Sequence, residues 1–202
     1  MRIAVYGATG MVGSRIVAEA ARRGHEVTGV TRSGGGLPDG VKPQQGDALD
    51  ADLTGEVARN HDVVVSALGP DRTAPDEGRF VRAIENLVAT LGDARLLVVG
   101  GAGSLQVDGL RLVDAPGFPD AYKSESLIGA DSLAFLRGLG EGPDWTYLSP
   151  APVIAPGERT GSYRTELETP AGEHVSAEDY AVALLDEIET PRHRRARFTV
   201  AN

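Results

Sequence analysis

The sequence predicts an α/β chain: a doubly wound, mostly parallel sheet followed by a small C-terminal α+β segment. Three observations lead there. Short apolar runs alternate with segments of helical periodicity from residue 2 to residue 149, the order that builds a parallel sheet with helices on both faces. The first run, Ile3-Ala4-Val5-Tyr6, passes through a glycine-spaced turn, Gly7-Ala8-Thr9-Gly10-Met11-Val12-Gly13, into a helical pattern. From about residue 155 the character changes to turn residues, one amphipathic helix and a closing β-rich run.

At 202 residues the chain suits a single domain, residues 1–202, with the segment from about 155 lying on the substrate side. Its 41% hydrophobic and 24% charged residues are ordinary for a globular protein with a sizeable core. No apolar run nears the roughly 20 residues that span a bilayer. Met1 leads directly into a strand, without the pattern of a cleavable leader. The absence of cysteine excludes disulfides, thiolate nucleophiles and redox thiols. Together these features make the cytoplasm the expected location. A net charge of −9 argues against general nucleic-acid binding, which needs a basic surface. Internal repeats and low-complexity stretches are not evident.

The first strand covers 2–6 and its helix 11–23, with Val12, Ile16, Val17, Ala20 and Ala21 on one face and Gly24 as the stop. Strands at 26–31 and 41–45 follow, then a weak helix near 50–59 and an apolar strand over 62–69. Phe80, Val81, Ile84, Leu87, Val88 and Leu91 recur at helical spacing ahead of a strand at 95–99. A long loop (105–121) leads to a helix over 122–138 and a strand over 144–149. In the last segment, 161–168 reads as one strand of a hairpin turning near Pro170-Ala171-Gly172. Ser176 caps a helix over 177–189 with Asp179 in the N3 place, and 197–200 closes as a strand.

Glycines at 7, 10 and 13 give GxxGxxG. Between a buried strand and a helix, such a turn lets a pyrophosphate rest on backbone N–H groups at the helix N-terminus, where side chains would block it. Gly7, Thr9, Gly10, Met11 and Val12 are therefore assigned to a dinucleotide in a Rossmann-type arrangement. The plainer alternative is a structural glycine turn in a chain with 26 glycines. In this architecture the end of the second strand faces the adenosine ribose; an acid there selects NAD, and a basic residue accommodates a 2′-phosphate. Here it reads Thr31-Arg32-Ser33, with no acid before Asp39. Arginine's planar fork suits a phosphate and a serine hydroxyl can join it, so Arg32 and Ser33 point to NADP(H) over NAD(H). The alternative is a solvated arginine at a loop mouth. Asp47, beside Ala48, follows the third strand and is placed to bond the adenine amino group, or merely to form the turn. Ala67, Leu68 and Gly69 follow the fourth strand and Gly100 the fifth, where small residues let the backbone approach a cofactor. Four scattered histidines have no metal-ligand spacing, so no metal is expected.

These residues resemble the atypical short-chain dehydrogenase/reductases, in particular the NAD(P)H-binding branch with NmrA-like and biliverdin reductase B-like members. The likeness is carried by GATGMVG (7–13), Thr31-Arg32, Gln45-Gly46-Asp47 and Ser66-Ala67-Leu68-Gly69. VVGGAGSL (98–105), WTYLSPA (145–151), EDYAVALLDEIE (178–189) and RFTV (197–200) extend it over essentially the whole chain. The resemblance implies that the stretch Ser149-Pro150-Ala151-Pro152-Val153 passes under the nicotinamide, which adds Pro150, Ala151 and Val153 to the cofactor residues.

The chain departs from ordinary short-chain dehydrogenases at the chemistry. Those enzymes use Tyr-x-x-x-Lys, whose lysine lowers the tyrosine pKa for proton exchange with the substrate oxygen. Here the helix starts Ala121-Tyr122-Lys123-Ser124-Glu125-Ser126, so the residue four beyond Tyr122 is a serine. Successive helical residues point about 100° apart, so Lys123 does not stand beside Tyr122 in the usual way. Ser104, Tyr122 and Lys123 remain the catalytic candidates. Ser104 either polarises a carbonyl or caps its turn, Tyr122 either donates a proton or packs, and Lys123 is otherwise a solvated charge. The implied activity is NADPH-dependent reduction of a small acceptor, such as a flavin, quinone or carbonyl compound. A non-catalytic NADP(H)-binding redox sensor is the alternative, and a sugar-nucleotide epimerase or dehydratase is disfavoured by the missing dyad. The expected partner is a small molecule, without nucleic acid or membrane, and the chain is expected as a monomer or homodimer.

Overall fold

In the computed structural model, residues 1–70, 76 and 78–202 are described. Each strand expected between residues 2 and 149 forms, joined by helices. The chain runs β1 (Arg2–Tyr6), α1 (Met11–Arg22), β2 (Glu26–Thr31), β3 (Lys42–Gln45), α2 (Ala51–Asn60), β4 (Val63–Ser66), α3 (Arg79–Ala89) and β5 (Arg95–Val99). The short pair β6 (Gln106–Val107) and β7 (Leu110–Arg111) precedes α4 (Asp120–Gly138) and β8 (Trp145–Pro150). β9 (Val153–Ala155), β10 (Arg164–Glu166), β11 (His174–Ser176), α5 (Ala177–Glu189) and β12 (Ala196–Ala201) complete it.

Eight strands make one sheet in the order β10-β12-β8-β5-β4-β1-β2-β3, and every pairing but β10–β12 is parallel. This is the Rossmann-type doubly wound sheet that the strand–helix alternation predicts. Alternation along β1 divides the core. Ile3 and Val5 face α1 and α5, packing with Ile16, Val17, Tyr180 and Leu184. Ala4 and Tyr6 face α2, α3 and α4, packing with Val57, Phe80, Ile84 and Leu133. Fully buried aliphatic side chains of this kind contribute about 1.5–3 kcal/mol each relative to exposure. α1 ends at Gly24, whose φ of 80° lets the chain leave the helix while its N–H reaches Ala21 O (3.0 Å) and that of His25 reaches Ala20 O (3.1 Å).

Two local expectations are corrected. The hairpin around Pro170-Ala171-Gly172 does not form. β10 pairs antiparallel with β12, Glu166 opposite Thr199, and β11 pairs parallel with β9, His174 opposite Val153. All three β10 side chains are exposed, so no apolar face ties it to a sequence neighbour, and it takes the free edge of β12. The loop over 105–121 is also partly ordered, by the β6–β7 pair and a 3-10 turn over Leu112–Asp114.

Candidate functional site

The parallel strands end along one edge, where β1 turns into α1. Gly7 has φ 74°, and a Cβ there would stand 2.5 Å from Ala67 O, the carbonyl just beyond β4. A Cβ at Gly13 would stand 2.1 Å from Gly7 O. Both positions therefore exclude side chains, which holds the turn against the neighbouring strand end. Gly10 is the N-cap of α1, with no side-chain cap, and the first turn carries no acidic residue. The amides at the start of α1 and the positive end of its dipole thus face outward without a capping group.

Beside this turn lies a cavity of about 530 Å³, beyond the ends of β1, β2 and β4 and between the loop after β3 and the start of α3. It gathers Gly7, Thr9, Arg32, Asp47, Ala48, Leu68 and Gly69, residues assigned to the cofactor from sequence. The wall also contains Tyr6, Thr31, Arg79 and Phe80, which the sequence reading did not assign. Arg79 forms an ion pair with Asp47 across the cavity, joining the β3 loop to the start of α3. The other Asp47 oxygen accepts from Leu49 N at 3.0 Å, so this carboxylate also shapes its own turn. Arg32 is exposed, and its carbonyl accepts from Gln45 Nε2 at 3.1 Å. Tyr6 is only 1% exposed, and its hydroxyl has no hydrogen-bond partner among the described residues. Burial first, then the Asp50 carboxylate, pushes the Tyr6 phenol above its ordinary range and keeps it protonated.

The remaining assigned cofactor residues lie outside the cavity wall. Ser33, Gly10, Met11 and Val153 are exposed. Ala67 abuts Gly7, and Gly100 lies so near the Tyr147 ring that a Cβ would meet it at 2.0 Å. Pro150 and Ala151 are buried, with Ala151 N donating to Val200 O at 3.0 Å.

The three catalytic candidates do not converge. Ser104 Oγ accepts from Arg197 Nη1 at 3.1 Å, and the Arg197 guanidinium, itself buried, is ion-paired with Glu168. Tyr122 and Lys123 stand in the first turn of α4, and Tyr122 is 56% exposed. Ser126, one turn further on, packs so closely on the loop after β5 that a Cβ on Gly103 would lie 2.4 Å from its Cβ. Lys123 lies near Asp114, which the Arg111 hydrogen bond and, more weakly, Lys123 hold below the usual carboxylate range. None of the three lines the cavity.

A dinucleotide fits these features. Its pyrophosphate matches the uncapped start of α1, and its adenosine half matches a cavity of mixed lining with Arg32 and Asp47 at its mouth. The fold and site together define a Rossmann-type nucleotide-binding protein. Residues 7–191 match the NAD(P)H-binding family, and the chain belongs to it. It is 40% identical to the uncharacterized protein YwnB of Bacillus subtilis, covering 100% of this chain and 99% of that one. A structure from Streptococcus pneumoniae TIGR4, provisionally named an NADH-flavin reductase, is 36% identical with TM-score 0.91 and covers 100% and 99% of the two chains. One from Bacteroides thetaiotaomicron, provisionally named an epimerase, is 35% identical with TM-score 0.86 over 99% and 96%. Among the described residues no helix is long and apolar enough to cross a membrane.

Proposed function

We propose that the chain is an NADPH-dependent oxidoreductase that reduces a small acceptor such as a flavin, a quinone or a carbonyl compound. The observation that carries this reading is Arg32 on the cavity wall at the end of β2, where an acid would favour NAD(H); Arg79, the other arginine of the wall, is ion-paired with Asp47. The name of the S. pneumoniae structure supports the reductase class. The bound cofactor supplies a hydride. The chain's own residues hold and orient it. The α1 amides take negative charge, Gly7 and Gly13 keep side chains out of the turn, and Arg32 serves the 2′-phosphate.

Proton supply favours some acceptors over others. Tyr122 has no lysine four residues on, Lys123 stands by Asp114, and Ser104 Oγ is engaged by Arg197. Acceptors that take their proton from solvent, flavins and quinones, therefore suit the chain better than carbonyl compounds. The same missing dyad counts against the epimerase reading.

Steady-state NADPH oxidation with FMN, FAD and a quinone panel tests the proposal, with turnover above buffer expected for at least one acceptor. NADPH binding without turnover of any acceptor would instead support a non-catalytic redox sensor, the reading favoured by the dispersed catalytic candidates. Cofactor choice is tested by Kd: the parent prefers NADPH, and Arg32→Ala reduces that preference about tenfold, as a lost charge-assisted contact implies. Equal affinity of the parent for NADPH and NADH would remove the 2′-phosphate argument.

A further inference from the structure

We propose that Arg197 is a positioning residue of the cofactor site: buried beside the loop that follows β5, it fixes through Ser104 the backbone on which the nicotinamide half of a bound dinucleotide rests. The inference rests on the dinucleotide reading above, but not on which acceptor is reduced. In a doubly wound sheet the ligand lies across the carboxyl ends of the strands. The adenosine cavity takes in the ends of β2 and the loop after β3, so the other half of the cofactor extends the opposite way, over the ends of β4 and β5. The loop there, Gly100-Gly101-Ala102-Gly103-Ser104, has three glycines in five residues and little stiffness of its own. One side of it is crowded: a Cβ on Gly100 would meet the Tyr147 ring at 2.0 Å, and one on Gly103 would meet Ser126 at 2.4 Å. A Cβ on Gly101 would meet nothing within 4 Å, so the loop is packed on that side and open at Gly101.

Side chains from two neighbouring strands hold that loop. Tyr147 of β8 and Arg197 of β12 stand opposite each other in the register. Tyr147 Oη accepts from Gly101 N at 3.2 Å and donates to Gly129 O of α4 at 3.0 Å. Arg197 Nη1 donates to Ser104 Oγ at 3.1 Å and Nη2 to Ser104 O at 3.4 Å, while the same guanidinium pairs with Glu168. The Arg197 side chain is 0% exposed, and Glu168, just beyond β10, is also held by Arg137 of α4. Burying a guanidinium is a poor source of stability, since a well-packed apolar side chain of similar volume often does as well or better. An apolar side chain does not supply direction. The planar fork joins β12, the segment after β10 and the end of the glycine-rich loop in one geometry. Ser104 is then a joint of the loop, and its hydroxyl is committed to Arg197 instead of to a substrate.

Arg197→Met and Ser104→Ala separate this role from a merely structural one, and the second keeps the Arg197–Glu168 pair in place should the first fail to fold. Titrations with NADPH and with 2′,5′-ADP read the whole cofactor against its adenosine half. Loss of the joint raises Kd for NADPH about three- to tenfold in either variant and leaves Kd for 2′,5′-ADP within about twofold of the parent. The double variant binds NADPH no more weakly than Arg197→Met alone, because both substitutions cut the same connection. An unchanged Kd for NADPH in both single variants overturns the proposal, whatever happens to the melting temperature, since that is the mark of a structural arginine. An equal rise for NADPH and 2′,5′-ADP overturns it too, as general damage to the fold, and so do additive losses in the double variant. A parent that binds NADPH but turns over no acceptor refutes the reductase reading alone, whereas a parent that binds no dinucleotide refutes both.

Discussion

Helices α1 and α5 pack on the same face of the sheet, yet their N-termini are built in opposite ways. At α5, Ser176 Oγ accepts from Asp179 N at 3.0 Å. The Asp179 carboxylate does not complete the capping box; it accepts from Gly161 N (2.7 Å), Thr160 Oγ1 (2.6 Å) and Asn202 Nδ2 (2.7 Å). Glu178, next to it, accepts from Gly157 N and from Arg15 of α1 (2.7 and 3.0 Å). At α1 the cap is Gly10, with neither a capping side chain nor an acid in the first turn. One helix start is closed by its own chain and the other is left open. The open end leaves the first α1 amides without a capping group at little loss of stability, because a serine or aspartate in place of a glycine cap stabilises a helix by only about a few tenths of a kcal/mol.

Closing the open end is the most direct way to break this contrast. Gly10 sits at φ −70° and ψ 171°, a conformation an aspartate cap adopts, and a Cβ there lies 3.3 Å from Gly7 O. Gly10→Asp should weaken NADPH binding about 100-fold or more, since its carboxylate claims the amides meant for phosphate and repels the anion. The melting temperature should change little. An unchanged Kd would mean that phosphate does not rest at α1.

Opening the closed end should do the reverse. Asp179→Ala leaves Gly161 N without its acceptor and takes one of two partners from Thr160 Oγ1 and Asn202 Nδ2, which also reach Ser162 O, and should cost about 1–3 kcal/mol, lowering the melting temperature by roughly 2–10 °C. Asp179→Asn should cost less, and neither variant should move Kd for NADPH by more than about twofold. A large loss of NADPH affinity in Asp179→Asn would show that the two helix starts are coupled.

The smallest effect concerns acid. Glu19 of α1 is buried, which pushes its pKa up, but hydrogen bonds from Arg22, Arg159 and Arg23 outweigh burial and hold it well below the usual range. Asp179 and Glu187 are likewise held low, hydrogen bonds outweighing burial in both. A carboxylate whose folded pKa is depressed binds fewer protons folded than unfolded. Its stabilisation is therefore full above the unfolded value, about pH 4–5, and is lost as pH falls towards the folded value. Urea midpoints from pH 7 to pH 3 should fall below about pH 4.5. They should fall less steeply in Glu19→Gln, which begins less stable; parallel curves would remove Glu19 from the acid response.

Legibility in the sequence followed the range of the interactions. β1, the glycine turn and α1 were readable because strand period, glycine spacing and the Gly24 stop all act within a few residues. Arg32, Asp47 and Leu68 were readable because strand ends of a parallel sheet share one edge, and all three line the cavity. Arg79 was missed because its meaning depends on Asp47, 32 residues away. Tyr6 reads in the sequence as one more apolar strand residue, because whether its hydroxyl is partnered depends on elements distant in the chain. The partners of β10 and β11 were misread because a hairpin is the local solution, whereas both strands pair across longer stretches of chain.

The position of β12 carries a consequence for the order of assembly. It lies between β8 and β10, parallel to the first and antiparallel to the second. β10 is made earlier on the ribosome, yet its docking edge does not exist until the chain has passed residue 196 and laid down β12. Segment 164–166 must therefore wait, and the half of the sheet that carries the glycine turn has no such dependence.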